Sequence, residues 1–308
     1  MSVRRFTTGL PGQRLPLLRQ LLKEHSGSRP LRFMETHNGL TGMIVEKTTA
    51  TNAAGETVQF DGMWSSSLTA STAKGKPDIE VVDTRERLTL VQETLSVTSK
   101  PMIYDADTGG VPEIFSFTVQ ALEDLGVSAA IIEDKTGLKQ NSLFGTDRKQ
   151  ELEDIDSFCE KINAGQNAKR SPDFMVVARL EALIAGHGEA EALKRAEAYY
   201  NAGVDAIMIH SKEKQPDEVL SFLNEFRKIS ADLPVIAVPT TYNALTETQL
   251  GEAGVNIVIH ANHMLRAAYP PMVETAKLIL ENERSQEADA GLTSVKEIIS
   301  MIGEEPRK

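Results

Sequence analysis

Pro101-Met102-Ile103-Tyr104-Asp105 and Ala129-Ala130-Ile131-Ile132-Glu133 flank the amphipathic run 114–125, and this arrangement decides the fold. Each flanking run is short and almost wholly apolar, and each ends on a carboxylate. A strand with one face in water alternates apolar and polar residues. A nearly continuous apolar strand that alternates with helices is instead buried on both faces, as in a parallel sheet. Outward from this unit the same pattern recurs. Candidate strands lie at 31–35, 58–64, 101–105, 129–133, 175–179, 206–210, 234–239 and 256–261. Amphipathic segments at 85–98, 114–125, 150–164, 189–202, 216–228 and 246–253 lie between them. Eight such strands closing on themselves give an α/β fold of the (β/α)8 TIM-barrel type, for which 308 residues is an ordinary length. A doubly wound sheet is the competitor, but no Gly-x-Gly-x-x-Gly follows the first strand and no P-loop occurs.

Two pieces fall outside the eight units. Residues 16–24 read as a helix that covers the bottom of the barrel before the first strand. After a helix over 270–283 come the polar stretch 284–290 and a second helix over 294–303, with Ile298, Ile299 and Ile302 on one face. Such a face needs a surface to bury against, on its own barrel or on a neighbouring subunit. No linker, repeat or low-complexity stretch divides the chain. The expectation is a single domain over 1–308, with an N-terminal extension over 1–30 and a C-terminal tail and helix over 284–308.

Composition narrows the partners. The chain carries 33 Lys and Arg against 44 Asp and Glu, a formal charge of −11. Nucleic acid is a poor fit, because neutralising phosphates needs a basic face. No apolar run approaches the roughly 20 residues that cross a bilayer. The start of the chain scatters basic residues among leucines without a continuous apolar core, unlike a secretory signal. Cys159 is the one cysteine and cannot form an intrachain disulfide, which favours a reducing compartment. A cytoplasmic enzyme acting on a small molecule is expected.

Barrel active sites gather where strands end and the following loops begin. The polar residues at those ends have a consistent character. They include Glu35-Thr36-His37-Asn38, Trp64-Ser65-Ser66-Ser67, Asp105-Ala106-Asp107, Glu133-Asp134-Lys135, Arg179-Leu180-Glu181, His210-Ser211, Thr240 and Asn262. Carboxylates converging on one end repel each other unless a cation neutralises them. Oxygen ligands with few imidazoles and no thiolate suit Mg²⁺ or Mn²⁺, not Zn²⁺. Arg179, His210 and the lysines after the fourth strand supply donors for a phosphate or carboxylate. Singly, each residue has a plainer reading: an aspartate as a helix cap, Arg179 and Glu181 as a structural ion pair, His210 as a core histidine, Trp64 as core. Polar or charged groups at the same end of all eight strands are not what packing alone produces. The glycine-punctuated segment 135–147, with Lys139, Asn141 and Ser142, reads as a lid over the substrate.

Glu133-Asp134-Lys135-Thr136-Gly137-Leu138-Lys139-Gln140-Asn141-Ser142 resembles the Glu-Asp-Lys-x₃-Lys-x-Asn-Ser signature of phosphoenolpyruvate mutases, in the isocitrate lyase superfamily of barrels. The resemblance spans roughly residues 32–267 in order. It takes in His37-Asn38-Gly39-Leu40, Trp64-x-Ser66, Asp105-x-Asp107-Thr108-Gly109, Arg179-x-Glu181-Ala182, His210-Ser211-Lys212, Val238-Pro239-Thr240 and Ala261-Asn262-His263. The Lys-Lys-Cys-Gly-His motif of isocitrate lyases is absent.

The resemblance implies interconversion of phosphoenolpyruvate and phosphonopyruvate, the first step of phosphonate biosynthesis, through an aspartyl phosphate and pyruvate enolate. Asp78 falls where the family places its nucleophile, although Lys74-Gly75-Lys76-Pro77-Asp78 on its own reads as a turn. Asp105 would be the direct Mg²⁺ ligand, with Asp107 and Glu133 reaching the metal through water. The metal, Trp64 and the backbone near Ser66 and Ser67 would hold the carboxylate and enolate end. Arg179 and His210, helped by Lys139, Asn141 and Ser142, would hold the phosphoryl end. The family also implies a homo-oligomer, a dimer or tetramer, that exchanges the C-terminal helix.

Gly110-Val111-Pro112-Glu113 and Thr136-Gly137-Leu138 depart from the common family pattern without removing a proposed catalytic group. Phosphonopyruvate hydrolase is the nearest alternative, with Thr in its lid where this chain has Asn141. A 2-methylisocitrate or oxaloacetate lyase would not require the Lys139 and Asn141 pair. A non-catalytic binding barrel fits only a decayed site, and every expected acid and cation is present.

Overall fold

The computed structural model describes residues 9–137, 139–142, 144 and 149–302. The chain divides into two compact units, one up to Asn262 and one from His263 onward.

The first unit is the barrel. Its strands are β1 (Leu31–Thr36), β4 (Gly62–Ser65), β5 (Met102–Asp105), β6 (Ala129–Glu133), β7 (Met175–Leu180), β8 (Ala206–Ile209), β9 (Val235–Ala237) and β10 (Ile257–His260). They close in the order β1-β10-β9-β8-β7-β6-β5-β4, with parallel neighbours throughout. Helices follow the strands: α3 (Gly39–Lys47), α4 (Ser67–Ala73), α5 (Thr84–Leu95), α6 (Pro112–Leu125), α7 (Ile155–Ala168), α8 (Gly188–Asn201), α9 (Asp217–Ile229) and α10 (Glu247–Glu252). Capping follows sequence chemistry, with Asp83 accepting from the Glu86 amide and Asp154 from the Ser157 amide.

Before the barrel lie α1 (Pro11–Arg14) and α2 (Leu17–Glu24). Leu18 of α2 belongs to the same buried cluster as Leu31, Phe33, Met175 and Ile257 inside the barrel, so the expected covering helix is present. Arg14 reinforces that floor. Its buried guanidinium donates to the carbonyls of Gly9, Leu95 and Leu125.

One strand differs from the sequence reading. Residues 58–64 do not form a single strand: β2 (Thr49–Thr51) and β3 (Thr57–Gln59) make an antiparallel hairpin, and β4 begins only at Gly62. Asp61 makes the break. Its carboxylate takes two hydrogen bonds from Arg29, at 2.6 and 2.8 Å, and one from the Arg32 amide at 2.8 Å. Gly62 then sits opposite Phe33 in the β1–β4 register, where a Cβ would lie 2.3 Å from the ring.

The second unit holds α11 (His263–Asn282), a 3₁₀ turn over Gln286–Gly291 and α12 (Val295–Ile302). It starts at His263, before the tail that composition marked at 284. The helix expected from Pro270 runs from His263 with Pro270 and Pro271 inside it.

Inside the barrel, side chains alternate with the strand period of two. Leu31 and Phe33, Ile103, Ala129 and Ile131, Met175 and Val177, Ala206 and Met208, and Ile257 and Ile259 build the apolar layers. Two residues beyond Phe33, Ile103, Ile131, Val177 and Met208 come Glu35, Asp105, Glu133, Arg179 and His210. One periodicity therefore supplies both the packed core and the polar layer above it.

Candidate active site

A cleft opens at the strand C-termini, where barrel active sites gather. Trp64, Ser66, Ser67 and Asp78 line one side of it, with Asp105 at the end of β5. Lys139, Asn141 and Ser142 line it from the segment after β6, and Arg179 and His210 from β7 and β8. Two sequence candidates lie behind this surface. Asp107 is buried against Lys139 and Arg87, and Glu133 is buried between Lys135 and Arg179. Parts of the proposed lid, at 138, 143 and 145–147, lie outside the described residues.

Lys139 ties the acids together. Its ammonium donates to Ser67 Oγ at 2.6 Å, to Asp78 Oδ1 at 3.0 Å and to Asp107 Oδ1. Burial alone would lower the Lys139 pKa, but Asp107, Asp105, Asp78 and Glu133 outweigh it and raise it, so the group stays charged. Asn141 Nδ2 donates to the other Asp78 oxygen at 2.8 Å. The two oxygens of Asp78 are thus held by one cation and one amide, both from the same segment.

Asp105 accepts from Ser67 Oγ at 2.7 Å and from the Ser67 amide at 3.2 Å. Burial pushes its carboxyl up, yet Lys139, Arg179 and Arg87 overcome this and keep it ionised well below the usual range. The Ser67 amide expected to receive substrate therefore points at Asp105. Ser66 caps α4, its oxygen accepting from the Thr69 amide at 3.4 Å.

Glu133 and Arg179 are direct neighbours in the β6–β7 register. Arg179 Nη2 lies 3.2 Å from one Glu133 oxygen and Lys135 Nζ 3.4 Å from the other. These approaches are close enough for charge pairing but misaligned for hydrogen bonding, and neither oxygen has a hydrogen-bond partner among the described residues. Burial raises the carboxyl to about 7 against the pull of Arg179 and Lys135. Glu181, wholly buried, collects Arg179 Nε and His210 Nδ1 on one oxygen and Ser142 Oγ on the other. Burial opposes its ionisation, but Arg179, His210 and Lys135 hold it well below the usual range. His210 Nδ1 stands between an acceptor, Glu181 Oε1 at 2.8 Å, and a donor, Arg179 Nη2 at 3.0 Å. Burial and then Arg179 lower the imidazole pKa and keep it neutral.

The chain as a whole has counterparts among known proteins. The family profile described as phosphoenolpyruvate phosphomutase matches residues 18–280. The chain belongs to the phosphoenolpyruvate phosphomutase family. The phosphoenolpyruvate phosphomutase of Tetrahymena pyriformis is 40% identical over 289 residues, covering 93% of this chain and 92% of that protein. The phosphonopyruvate hydrolase of a Variovorax species is 40% identical over 274 residues, covering 88% of this chain and 90% of its own. A crystal structure of phosphonopyruvate hydrolase with oxalate and Mg²⁺ superposes with a TM-score of 0.80 at 37% identity, covering 93% of this chain and 94% of that one.

In this phosphomutase-family barrel the residues can be tested against a hard cation. Among the described residues no three His, Cys, Asp or Glu side chains stand close enough to hold a metal between them. A three-carboxylate cage is thus not what the site offers. Mg²⁺ keeps most of its waters and needs one or two direct carboxylates. Ionised Asp105 at the cleft, with the two hydrogen-bond-deficient oxygens of Glu133 behind it, fits a hydrated ion of that kind.

The structure adds residues that sequence reasoning left aside. Arg87, buried in mid-helix, stacks 4.2 Å over Tyr104 and donates to Asp107 Oδ2 at 3.0 Å and to the Asp105 carbonyl. Nothing in its local sequence separates it from a surface arginine. Glu80 has a left-handed backbone (φ 62°), as does Asp107 (φ 54°), and accepts from the Thr108 amide at 3.0 Å. That bond ties the Asp78 segment to the Asp105–Thr108 loop. Asp134 faces the other way from its neighbours. It accepts from Tyr199 Oη at 2.8 Å, Arg195 at 3.1 Å and the Glu181 amide at 2.8 Å, clamping α8 to β7.

Proposed function

We propose that this chain is a phosphoenolpyruvate mutase, interconverting phosphoenolpyruvate and phosphonopyruvate through Asp78. The observation that carries the reading is the Asp78 carboxylate, open to the cleft and flanked by Lys139 at 3.0 Å and Asn141 at 2.8 Å. An Asp78 oxygen attacks phosphorus, and the bond from phosphorus to the enol oxygen breaks. The products are an aspartyl phosphate and pyruvate enolate. C3 of the enolate then attacks the same phosphorus, forming the C–P bond and releasing the Asp78 carboxylate. No proton is gained or lost, in keeping with a site whose acids and bases are locked into ion pairs.

Arg179 and His210 bind and orient the phosphoryl group between the two attacks. Lys139 and Asn141 hold Asp78 in line and cover it, so that water does not intercept either intermediate. Trp64 and the Ser66–Ser67 turn bound the enolate end. A Mg²⁺ held by Asp105, with Asp107 and Glu133 through its waters, would supply positive charge for the carboxylate and enolate oxygens. Exchanging a phosphate ester for a C–P bond is uphill, so an irreversible following step must draw the product away.

Phosphonopyruvate hydrolysis is the second reading, because the Variovorax hydrolase and the Tetrahymena mutase are equally identical to this chain. Asn141 favours the mutase. Phosphorus NMR of the protein with phosphonopyruvate and Mg²⁺ separates the two. Phosphoenolpyruvate appearing means mutase, free phosphate with pyruvate means hydrolase, and an unchanged spectrum sinks both.

A further inference from the structure

From sequence, Ser142 reads as a substrate-binding residue. Its hydroxyl has one hydrogen to donate and two lone pairs to accept with. Protein atoms use all three. Ser142 Oγ donates to Glu181 Oε2 at 2.7 Å, and accepts from Arg179 Nη2 at 2.7 Å and Lys135 Nζ at 3.0 Å. The residue is 3% exposed, and its carboxylate partner is wholly buried.

These bonds hold Arg179 at two points. Nε rests on Glu181 and Nη2 on Ser142, with His210 Nδ1 3.0 Å from the same Nη2. A planar guanidinium gripped at one nitrogen pivots, whereas two grips fix its plane. Two carboxylates stand ready to take Arg179 if the second grip is lost, Glu181 and, 3.2 Å from Nη2, Glu133. Lys135 locks the arrangement from behind. Besides Ser142, it donates to the Gln140 carbonyl at 2.8 Å and Gln150 Oε1 at 3.2 Å.

We infer that Ser142 is a positioning residue, acting through Arg179 to fix the plane of the guanidinium that receives the phosphoryl group. The identity of that ligand rests on the function proposed above. The position of Arg179 does not.

A crystal structure of Ser142→Ala is the direct test, with Arg179 expected to swing out of its wild-type plane. By calorimetry with Mg²⁺ present, phosphonopyruvate affinity should fall about ten- to a hundred-fold, the worth of one or two hydrogen bonds to charged groups. Oxalate lacks a phosphoryl group, and its affinity should stay within about twofold. Ser142→Thr, which restores the hydroxyl, should recover both the Arg179 position and the affinity. Glu181→Gln combined with Ser142→Ala should be no weaker than the worse single variant, because both act through one guanidinium. Arg179 unmoved in Ser142→Ala overturns the inference, and so does an equal loss of oxalate affinity or fully multiplicative effects in the double variant. If the wild type neither binds nor converts phosphonopyruvate while Arg179 still swings in Ser142→Ala, the positioning role stands and the substrate assignment falls.

Discussion

Asp78 follows Lys74-Gly75-Lys76-Pro77, a run that describes a surface turn, yet it ends between Lys139 Nζ and Asn141 Nδ2. Its partners lie more than sixty positions along the chain, so no local pattern announces it. Resemblance to a family motif supplied the assignment, and the geometry supplies a physical reason for it. Replacing Asp78 by Ala removes the proposed acceptor of the phosphoryl group and leaves Lys139 neutralised by Asp107. Turnover of phosphonopyruvate should fall by about a thousand-fold or more. Melting temperature and circular dichroism should stay near wild type. A variant that keeps its activity would remove Asp78 from the mechanism. Arg87 and Glu80 show the opposite limit. A buried arginine behind Asp107 and a left-handed glutamate bonded to the Thr108 amide are tertiary facts that helix periodicity and turn composition do not carry. Residues two beyond an inner apolar strand position were legible, because strand alternation alone points them into the cleft.

At the level of elements, the strands buried on both faces were read within a residue or two, and the errors cluster on the first βα units. Helices α3 and α4 begin directly after their strands, capped by Asn38 and Ser66. Asn and Ser at a strand end suit a substrate contact as well as a helix cap, and composition does not separate the two. The merged strand over 58–64 has a different cause. Val58 and the pair Met63-Trp64 look continuous in hydropathy, while the break at Asp61 depends on Arg29 and Arg32 of another segment. Gly62→Ala should destabilise the barrel by about 1–3 kcal/mol through overpacking against Phe33, read as a melting temperature several degrees lower. An unchanged melting point would mean that Phe33 can move aside. Asp61 gives a pH signature. Burial would raise its carboxyl, but hydrogen bonds from Arg29 and the Arg32 amide, with the Arg29 charge, lower it below 3.8. A depressed carboxyl stabilises the fold above its unfolded value and loses that contribution as pH falls through the folded value. Asp61→Asn should therefore melt below wild type at neutral pH, with the gap closing as pH drops below about 4. A gap constant with pH would show that the charge of Asp61 is not what stabilises this corner.

For the whole molecule, the question is what becomes of the C-terminal unit. No helix among the described residues is long and apolar enough to cross a membrane. Leu280, Val295 and Ile302 are each at least 60% exposed, and Ile298 and Ile299 are exposed beside them. An eight-residue helix such as α12 has little stability of its own in water. Its ordering calls for an apolar surface to bury Ile298, Ile299 and Ile302. Family resemblance implies that this surface belongs to a second copy, with the helix exchanged between subunits of a dimer or tetramer. A charge placed on the buried side of such a contact is costly unless paired. Sedimentation velocity should then find wild-type protein as a dimer or larger, and Ile298→Lys combined with Ile302→Lys should shift it to a smaller species while circular dichroism keeps the barrel's signal. Wild-type protein sedimenting as a monomer, or a double variant with unchanged mass, would rule out exchange of this helix as what holds the oligomer together.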